Sequence, residues 1–573
     1  MKKVLFVLIW ILTLSAVSFS QEGYIFPLKE SRELSSIFAD HRNFHFHSGI
    51  DFKTGEKTGL KVYAAKSGWV YRLFASWWGY GKAVYLKHPD GQLTLYAHLS
   101  DFSEKLKKVV TDEQLKNKRY RVDIFPQDTI WITQGEFVGY SGETGTGEPH
   151  FHFEIRDKDN RPLNPLTSGL PIIDTIAPTF VRIGIRPLDV NSYVDDTTDI
   201  KTYPLNFDPP QRVYALTKMP VVEGNVGIEI SAYDKMAEKG SKFGIYKLEL
   251  FLDSLLVFSS HYDTIDFENS WKIELDRDFG LLQRKKGEFY KLYLDYGNDL
   301  LLYRSVNRGF LEFPDSGIHQ LEVLAYDASG NISRSKIFLQ AIHPRIYVPL
   351  RTENPKLFLF TNQDKIISQS EDGLARIVID SGSVFKKINV QVNKLDIYKM
   401  IRQKSPFYSF LPSDIPLAKP AKVSIRCIET KCPLSKIGLY EYVDNTYKFT
   451  GQEIDTATNS ISGEVRALST CVLLEDKKPP QITGIYPKPD QKINVKEIII
   501  SARITDDLAG IGSDQDIKVY LDGEWQIPEY DPEKLVLISR PLKTLTPGWH
   551  KLVIQARDRM GNQKTVKSRF KII

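Results

Sequence analysis

The stretch GIHQLEVLAYDASGN (317–331) recurs as GWHKLVIQARDRMGN (548–562), and this duplication limits what the chain can fold into more than any other feature. The shared positions are Gly317/Gly548, His319/His550, Leu321/Leu552, Ala325/Ala556, Asp327/Asp558, Gly330/Gly561 and Asn331/Asn562. Leu321, Val323 and Ala325 alternate with polar residues, as do Leu552, Ile554 and Ala556. Period-two alternation marks a half-buried strand. The D-x-x-G-N ending predicts a tight turn into one more strand.

Upstream, IEISAYD (228–234) pairs with IIISARITD (498–506), and IYKLELFLDS (245–254) with IKVYLDG (517–523). The two regions therefore read as copies of one antiparallel β-sandwich of immunoglobulin-like type, at 173–345 and 475–573. The first copy carries an insertion over roughly 260–313. The Pro-rich junctions PIIDTIAPTF (171–180) and EDKKPPQITGIYP (475–487) lead into them. His319 and His550 hold one place in both copies, which predicts a packing role. The stretch 346–474, with KLFLF, ARIVID and YKFTG, reads as a further β-rich domain. The fold class is mainly β. A chain of 573 residues requires several cores.

The N-terminus pairs Lys2 and Lys3 with an apolar run from Val4 to Val17 and small residues Ser18 and Ser20 before Gln21. This is the pattern of a cleavable signal peptide over residues 1–20. The run is short for a bilayer span, and no later run is long enough. Export, to a periplasm or the medium, is the expectation. A net charge of +5 is too mild to argue for nucleic acid. Of the three cysteines, Cys427 and Cys432 allow a local bridge, either allows one to Cys471, and buried thiols are equally compatible.

Histidine is unevenly spread: seven of eleven lie at 41, 45, 47, 88, 98, 150 and 152. GEPHFHFEIR (147–156) places His150 and His152 two apart in an alternating run, so both rings face the same side of a strand. FHFHSGIDF (44–52) supplies His47 and Asp51 as H-x-x-x-D. A catalytic zinc takes three protein ligands of this kind and keeps one position open. His47, Asp51 and one of the 150/152 pair would hold the ion, and the other histidine would stand beside its water. Glu154, on the same strand face, reads as a partner of a ligand or a rim charge. His45 is a neighbour of the cleft, His88 precedes a hairpin turn and reads as structural, and His41 reads as surface, with lining of the groove as the alternative.

FHSGIDF, GYGKAVYLKHPDGQLTLYAHLS and GEFVGYSGETGTGEPHFHFEIR resemble the lysostaphin-type, or LytM-like, zinc metallopeptidases of cell walls, over roughly residues 22–165. The resemblance implies a small antiparallel β peptidase domain, at 21–172, with a groove between loops. It implies one zinc ion held by His47, Asp51 and His152, with His98 and His150 as catalytic residues beside the metal water. It implies hydrolysis of peptide bonds in peptidoglycan. The chain departs from the family in its short acidic loop SGETGTGEPH and in a basic insertion at about 101–130, helix-favouring and then strand-like.

Two other readings compete. One is a LytM-like regulatory module that activates another wall hydrolase, but such modules lack several ligands and this chain lacks none. The other is an exported adhesion protein built from the sandwiches. The expected partners are peptidoglycan peptides and other envelope proteins, with no nucleic acid and no transmembrane anchor after signal cleavage.

Overall fold

The computed structural model describes residues 23–573 apart from 146, 190, 314, 343–362, 387, 398–401, 414, 429–432 and 495–497. The expected signal peptide, the KLFLF stretch and Cys432 lie outside the described residues. The chain is nearly all β, as its alternation predicts.

Seven strands form the main path of the N-terminal sheet: β1 (Leu34–Ser36), β2 (Ile50–Lys53), β3 (Gly68–Ala75), β4 (Lys82–Lys87), β5 (Leu93–Leu99), β6 (Val122–Ile124) and β7 (His150–Arg156). They run in the order β1-β2-β7-β5-β4-β3-β6. On β7 the odd positions Phe151, Phe153 and Ile155 are fully buried, and Ile50 and Phe52 of β2 join them in one core. Phe52 stacks on Phe151 with ring centroids 5.7 Å apart. Burying such side chains contributes roughly 1.5–3 kcal/mol each. This fixes the register, because a slip of one residue would turn every core side chain to the opposite face. The even positions His150, His152, Glu154 and Arg156 are thereby committed to the other side.

The basic insertion forms α1 (Glu104–Asn117), which buries Leu106 and Val110, and then β6. β6 pairs antiparallel with β3, so β3, β4 and β5 separate it from β7.

Beyond residue 173 the sheets pack in pairs. In the first pair β8 (Thr179–Pro187) lies beside β9 (Val226–Tyr233), facing a sheet that contains β10 (Lys247–Leu252), β11 (Ile318–Tyr326) and β12 (Ile332–Ile342). In the last pair β13 (Gln481–Tyr486) lies beside β14 (Ile500–Thr505), facing β15 (Ile517–Leu521), β16 (Gly548–Arg557) and β17 (Gln563–Ile572). Both second sheets have the same order: a short parallel strand, the last strand, its hairpin partner, then β10 or β15. His319 Nδ1 and His550 Nδ1 each lie 2.7 Å from an aspartate in the facing turn, Asp253 and Asp522. Two five-stranded sheets between residues 366 and 475 enclose a separate core that contains Cys427 and Cys471.

The outer regions return to the N-terminal sheet. His41 Nε2 and the Phe44 amide both meet Glu274 Oε1, so His41 belongs to an interdomain contact instead of open surface. From the last sandwich, Tyr530 packs on Trp77, Glu529 pairs with Lys82, and Asp514 binds Arg119 and the Arg121 amide.

Candidate metal centre

His47 sits in the turn before β2, and Asp51 is on that strand directly opposite His152 of β7. Gly49 allows the approach: a Cβ there would fall 2.3 Å from the Phe153 carbonyl oxygen and 3.0 Å from the His152 ring. His47 Nε2, Asp51 Oδ1 and His152 Nδ1 form a triangle with edges of 3.1, 2.8 and 3.0 Å. All three side chains are buried.

The far side of each ligand is held. His47 Nδ1 lies 2.7 Å from the Ile37 carbonyl, which only accepts, so this nitrogen carries the proton and Nε2 keeps its lone pair. His152 Nε2 donates to Glu154 Oε1 over 2.9 Å, which leaves Nδ1 as its lone-pair atom. Asp51 Oδ2 accepts from Arg42, 3.2 Å away. Both imidazole lone pairs and one carboxylate oxygen thus converge. Zinc bonds of about 2 Å place a point reachable from all three just off the plane of the triangle. The donor set fits the ion.

The electrostatics agree. Burial pushes the Asp51 carboxyl up, but His47 and His152 outweigh it and hold it well below the usual carboxylate range. Burial pushes His152 down, yet Asp51 and Glu154 outweigh it and hold the ring at about 9. The same two carboxylates favour any cation at Nδ1.

Glu154 resolves as a partner of a ligand. It is fully buried and accepts from Ser48, Tyr80 and Arg156 as well as from His152. Sequence reading passes over Ser48, Tyr80, Arg156 and Arg42. Their only signal is proximity in the chain to motif residues, which does not reveal direction.

His98 reaches the site by an irregularity. Tyr96 points into the core against Phe153, and strict alternation would send His98 the same way. The pairing of β4 with β5 shifts register between Lys82 and Val84, and His98 takes φ 56°. This bulge re-aims its ring toward the histidines of β7, 4.6 Å from His150 and 5.6 Å from His152 between centroids. His98 Nδ1 meets the Thr144 carbonyl at 2.9 Å, and His150 Nδ1 meets the Glu148 carbonyl at 2.7 Å. Both rings therefore carry their proton on Nδ1 when neutral and offer an unprotonated Nε2. Burial, then the neighbouring histidines, pushes His98 down to about 3. Burial also lowers His150.

Two expected bystanders lie apart. His45 is exposed and bonds its own turn at Asn43. His88 is buried between Ser67 and Thr94.

Residues 45–115 match peptidase family M23. The M23 match contains His47, Asp51 and His98 and ends before β7. A Neisseria meningitidis protein named DD-carboxypeptidase/endopeptidase Mpg is 34% identical over 130 residues, 22% of this chain and 24% of its own length. A Haemophilus influenzae protein described as an uncharacterized metalloprotease is 31% identical over 154 residues, 26% of this chain and 27% of its own. A solved zinc containing peptidase from Vibrio cholerae is 25% identical, covers 26% of this chain and 41% of its own, and has a TM-score of 0.20. The chain spans about a quarter of the length of the curated relatives it matches. Among the described residues no helix is long and apolar enough to cross a membrane.

Proposed function

We propose that the M23 region is a zinc-dependent endopeptidase that hydrolyses peptide bonds in peptidoglycan, after export through the N-terminal leader. The observation that carries this reading is the 2.8–3.1 Å triangle of His47, Asp51 and His152 with two neutral imidazoles beside it. The M23 match and the name DD-carboxypeptidase/endopeptidase of the meningococcal relative support the substrate class.

His47 Nε2, Asp51 Oδ1 and His152 Nδ1 would hold one zinc ion. Bound there, zinc supplies Lewis acidity, lowering the pKa of water and polarising a carbonyl. The chain's own groups then manage the proton. His150, half-buried at the start of β7, accepts a proton from the attacking water at Nε2. The water oxygen bonds to the scissile carbonyl carbon, the carbon–nitrogen bond breaks, and His150 returns the proton to the departing amine. His98 stays neutral, with its Nδ1 proton committed to Thr144. Its Nε2 can only accept, so it orients the water instead of donating to the oxyanion. The sandwiches would position this site through contacts with the wall or with other envelope proteins.

The test is to quantify zinc in the mature chain and digest isolated peptidoglycan with wild type and His152→Ala, reading products by mass. New amino and carboxyl ends from wild type only, abolished by chelator, are expected. Absence of both zinc and cleavage would bring forward the regulatory or adhesion reading.

A further inference from the structure

The two Pro-rich junctions share a feature that the peptidase chemistry does not use. Asp174 stands five residues ahead of β8, and Asp476 stands five ahead of β13. Asp234 directly follows β9 and Asp506 directly follows β14. Asp327 directly follows β11 and Asp558 directly follows β16. Each sandwich thus gathers three aspartates at matching places, one from the incoming junction and two from strand ends.

In each set one carboxylate oxygen per residue lies within 4.8 Å of the others. The wiring repeats as well. Asn331 Nδ2 donates to the Asp174 carbonyl at 3.1 Å, and Asn562 Nδ2 donates to the Asp476 carbonyl at 3.1 Å. Those asparagines also hold Asp327 and Asp558.

Proximity of acids is not by itself a site, but the first set carries more. Asp174, Asp234 and Asp327 are 8%, 2% and 4% exposed. Asp174 Oδ2 and Asp234 Oδ1 are buried and no donor group of the described residues reaches them, so the two carboxyls have only each other, and only when one is protonated. A cavity of about 10 Å³ has the three aspartates and Ser329 on one part of its wall and apolar residues such as Leu166, Ile172 and Met236 on the rest. That is room for one water-sized body. Among the described residues the strongest influences on Asp174 and Asp234 are burial, backbone amides and the other aspartates, with no cationic side chain among them. Buried carboxylates facing one another without a counter-charge are costly. A single divalent cation would remove the repulsion and satisfy both orphan oxygens. In the second set Asp506 Oδ2 is likewise buried without a partner, but Asp506 as a whole is half-buried and Lys436 acts on Asp558, so this set is the more open and the less acidic of the two.

We propose that Asp174, Asp234 and Asp327 form a calcium site, and that Asp476, Asp506 and Asp558 form its duplicate, each ion pinning a sandwich to the segment that enters it. The donors are all oxygen, which disfavours zinc. Calcium takes oxygen ligands at about 2.3–2.6 Å in flexible geometry, and oxygens that all lie within 4.8 Å of one another can meet on one such ion. Magnesium retains several waters in near-ideal octahedral geometry, for which this cavity is too small.

The experiment uses the full mature chain, stripped on a chelating resin and resupplied with one equivalent of zinc. Calcium binding is then measured by equilibrium dialysis with magnesium in excess. Two bound calcium ions per chain are expected, falling to one in Asp234→Asn and to none when Asp506→Asn is added. His152→Ala should keep both, which separates this site from the zinc centre. No calcium bound by wild type, or two retained by Asp234→Asn, would overturn the proposal. One ion in wild type that Asp234→Asn abolishes would keep the first site and remove the second. Should Asp234→Asn fail to fold, wild type decides through proteolysis at residues 171–178. Protection by calcium and not by magnesium supports the site, and equal cleavage overturns it.

Discussion

His152 and Glu154 point from one face of the same strand, and the imidazole Nε2 donates to the carboxylate across 2.9 Å. This bond fixes the tautomer that leaves Nδ1 aimed at Asp51 and His47. Burial pushes the Glu154 carboxyl up, but Arg156 and His152 together outweigh it and keep the group ionised. Glu154→Gln keeps the shape but removes the charge that raises the basicity of His152. Zinc affinity should fall by about 10–100-fold. Competition against a chromogenic chelator measures it, and unchanged affinity would deny the carboxylate this role.

Gly49, the residue ahead of β2, packs directly against β7. An alanine methyl would sit 2.3 Å from the Phe153 carbonyl, a backbone atom that cannot turn aside. Gly49→Ala should therefore destabilise the domain by about 1–3 kcal/mol through overpacking. It should also cost zinc, because the His47–Asp51 turn moves with it. Denaturant melts and metal content, taken together, check this. A full zinc complement at wild-type stability would show that the turn has slack.

His98 and His150 approach the metal triangle without belonging to it. His98→Ala and His150→Ala should each retain zinc while lowering kcat by about 10²–10⁴-fold. The two should differ in pH profile. Loss of the His150 proton acceptor should abolish the acidic limb, and loss of the water-orienting His98 should leave its shape. If either variant loses its zinc, that residue contributes to holding the ion and the division of labour fails.

Alternation makes the fold and the shared face of His150 and His152 legible in the sequence, whereas His47 and Asp51 enter through the H-x-x-x-D spacing and the choice of His152 through the family resemblance. Phe151, Phe153 and Ile155 write the core face of β7, and this assigns His150 and His152 to the opposite face without coordinates. The duplicated D-x-x-G-N segments do the same for the two sandwiches. What alternation leaves out are departures from it and contacts across the chain. His98 reaches the site through a bulge, where period two would bury its ring beside Tyr96. His41 looks like surface until Glu274, 233 residues further along the chain, packs on it. Lys534 and Glu533 of the last sandwich reach Glu143 and the Gly147 amide of the loop before His150. The spacing within either segment does not signal this contact.

Asp234 gives the calcium-free chain a pH dependence whose sign is set by its surroundings. Burial, then the Asp174 carboxylate, pushes it up from 3.8 to about 7, with Asp327 also facing it. The folded state thus favours the protonated acid, and this contribution is complete at pH below the ordinary carboxylate value. It is lost as pH rises through about 7. Without calcium, hydrogen-exchange protection of β9 should therefore decline from pH 5 to pH 8, after correction for intrinsic exchange. Calcium binds the ionised carboxylates, so the protection it adds should be larger at pH 8 than at pH 5. Asp234→Asn cannot ionise, and its protection should vary less with pH in the absence of calcium. A calcium-free wild type whose β9 protection holds constant across this range would mean that Asp234 ionises in the fold as readily as in solution.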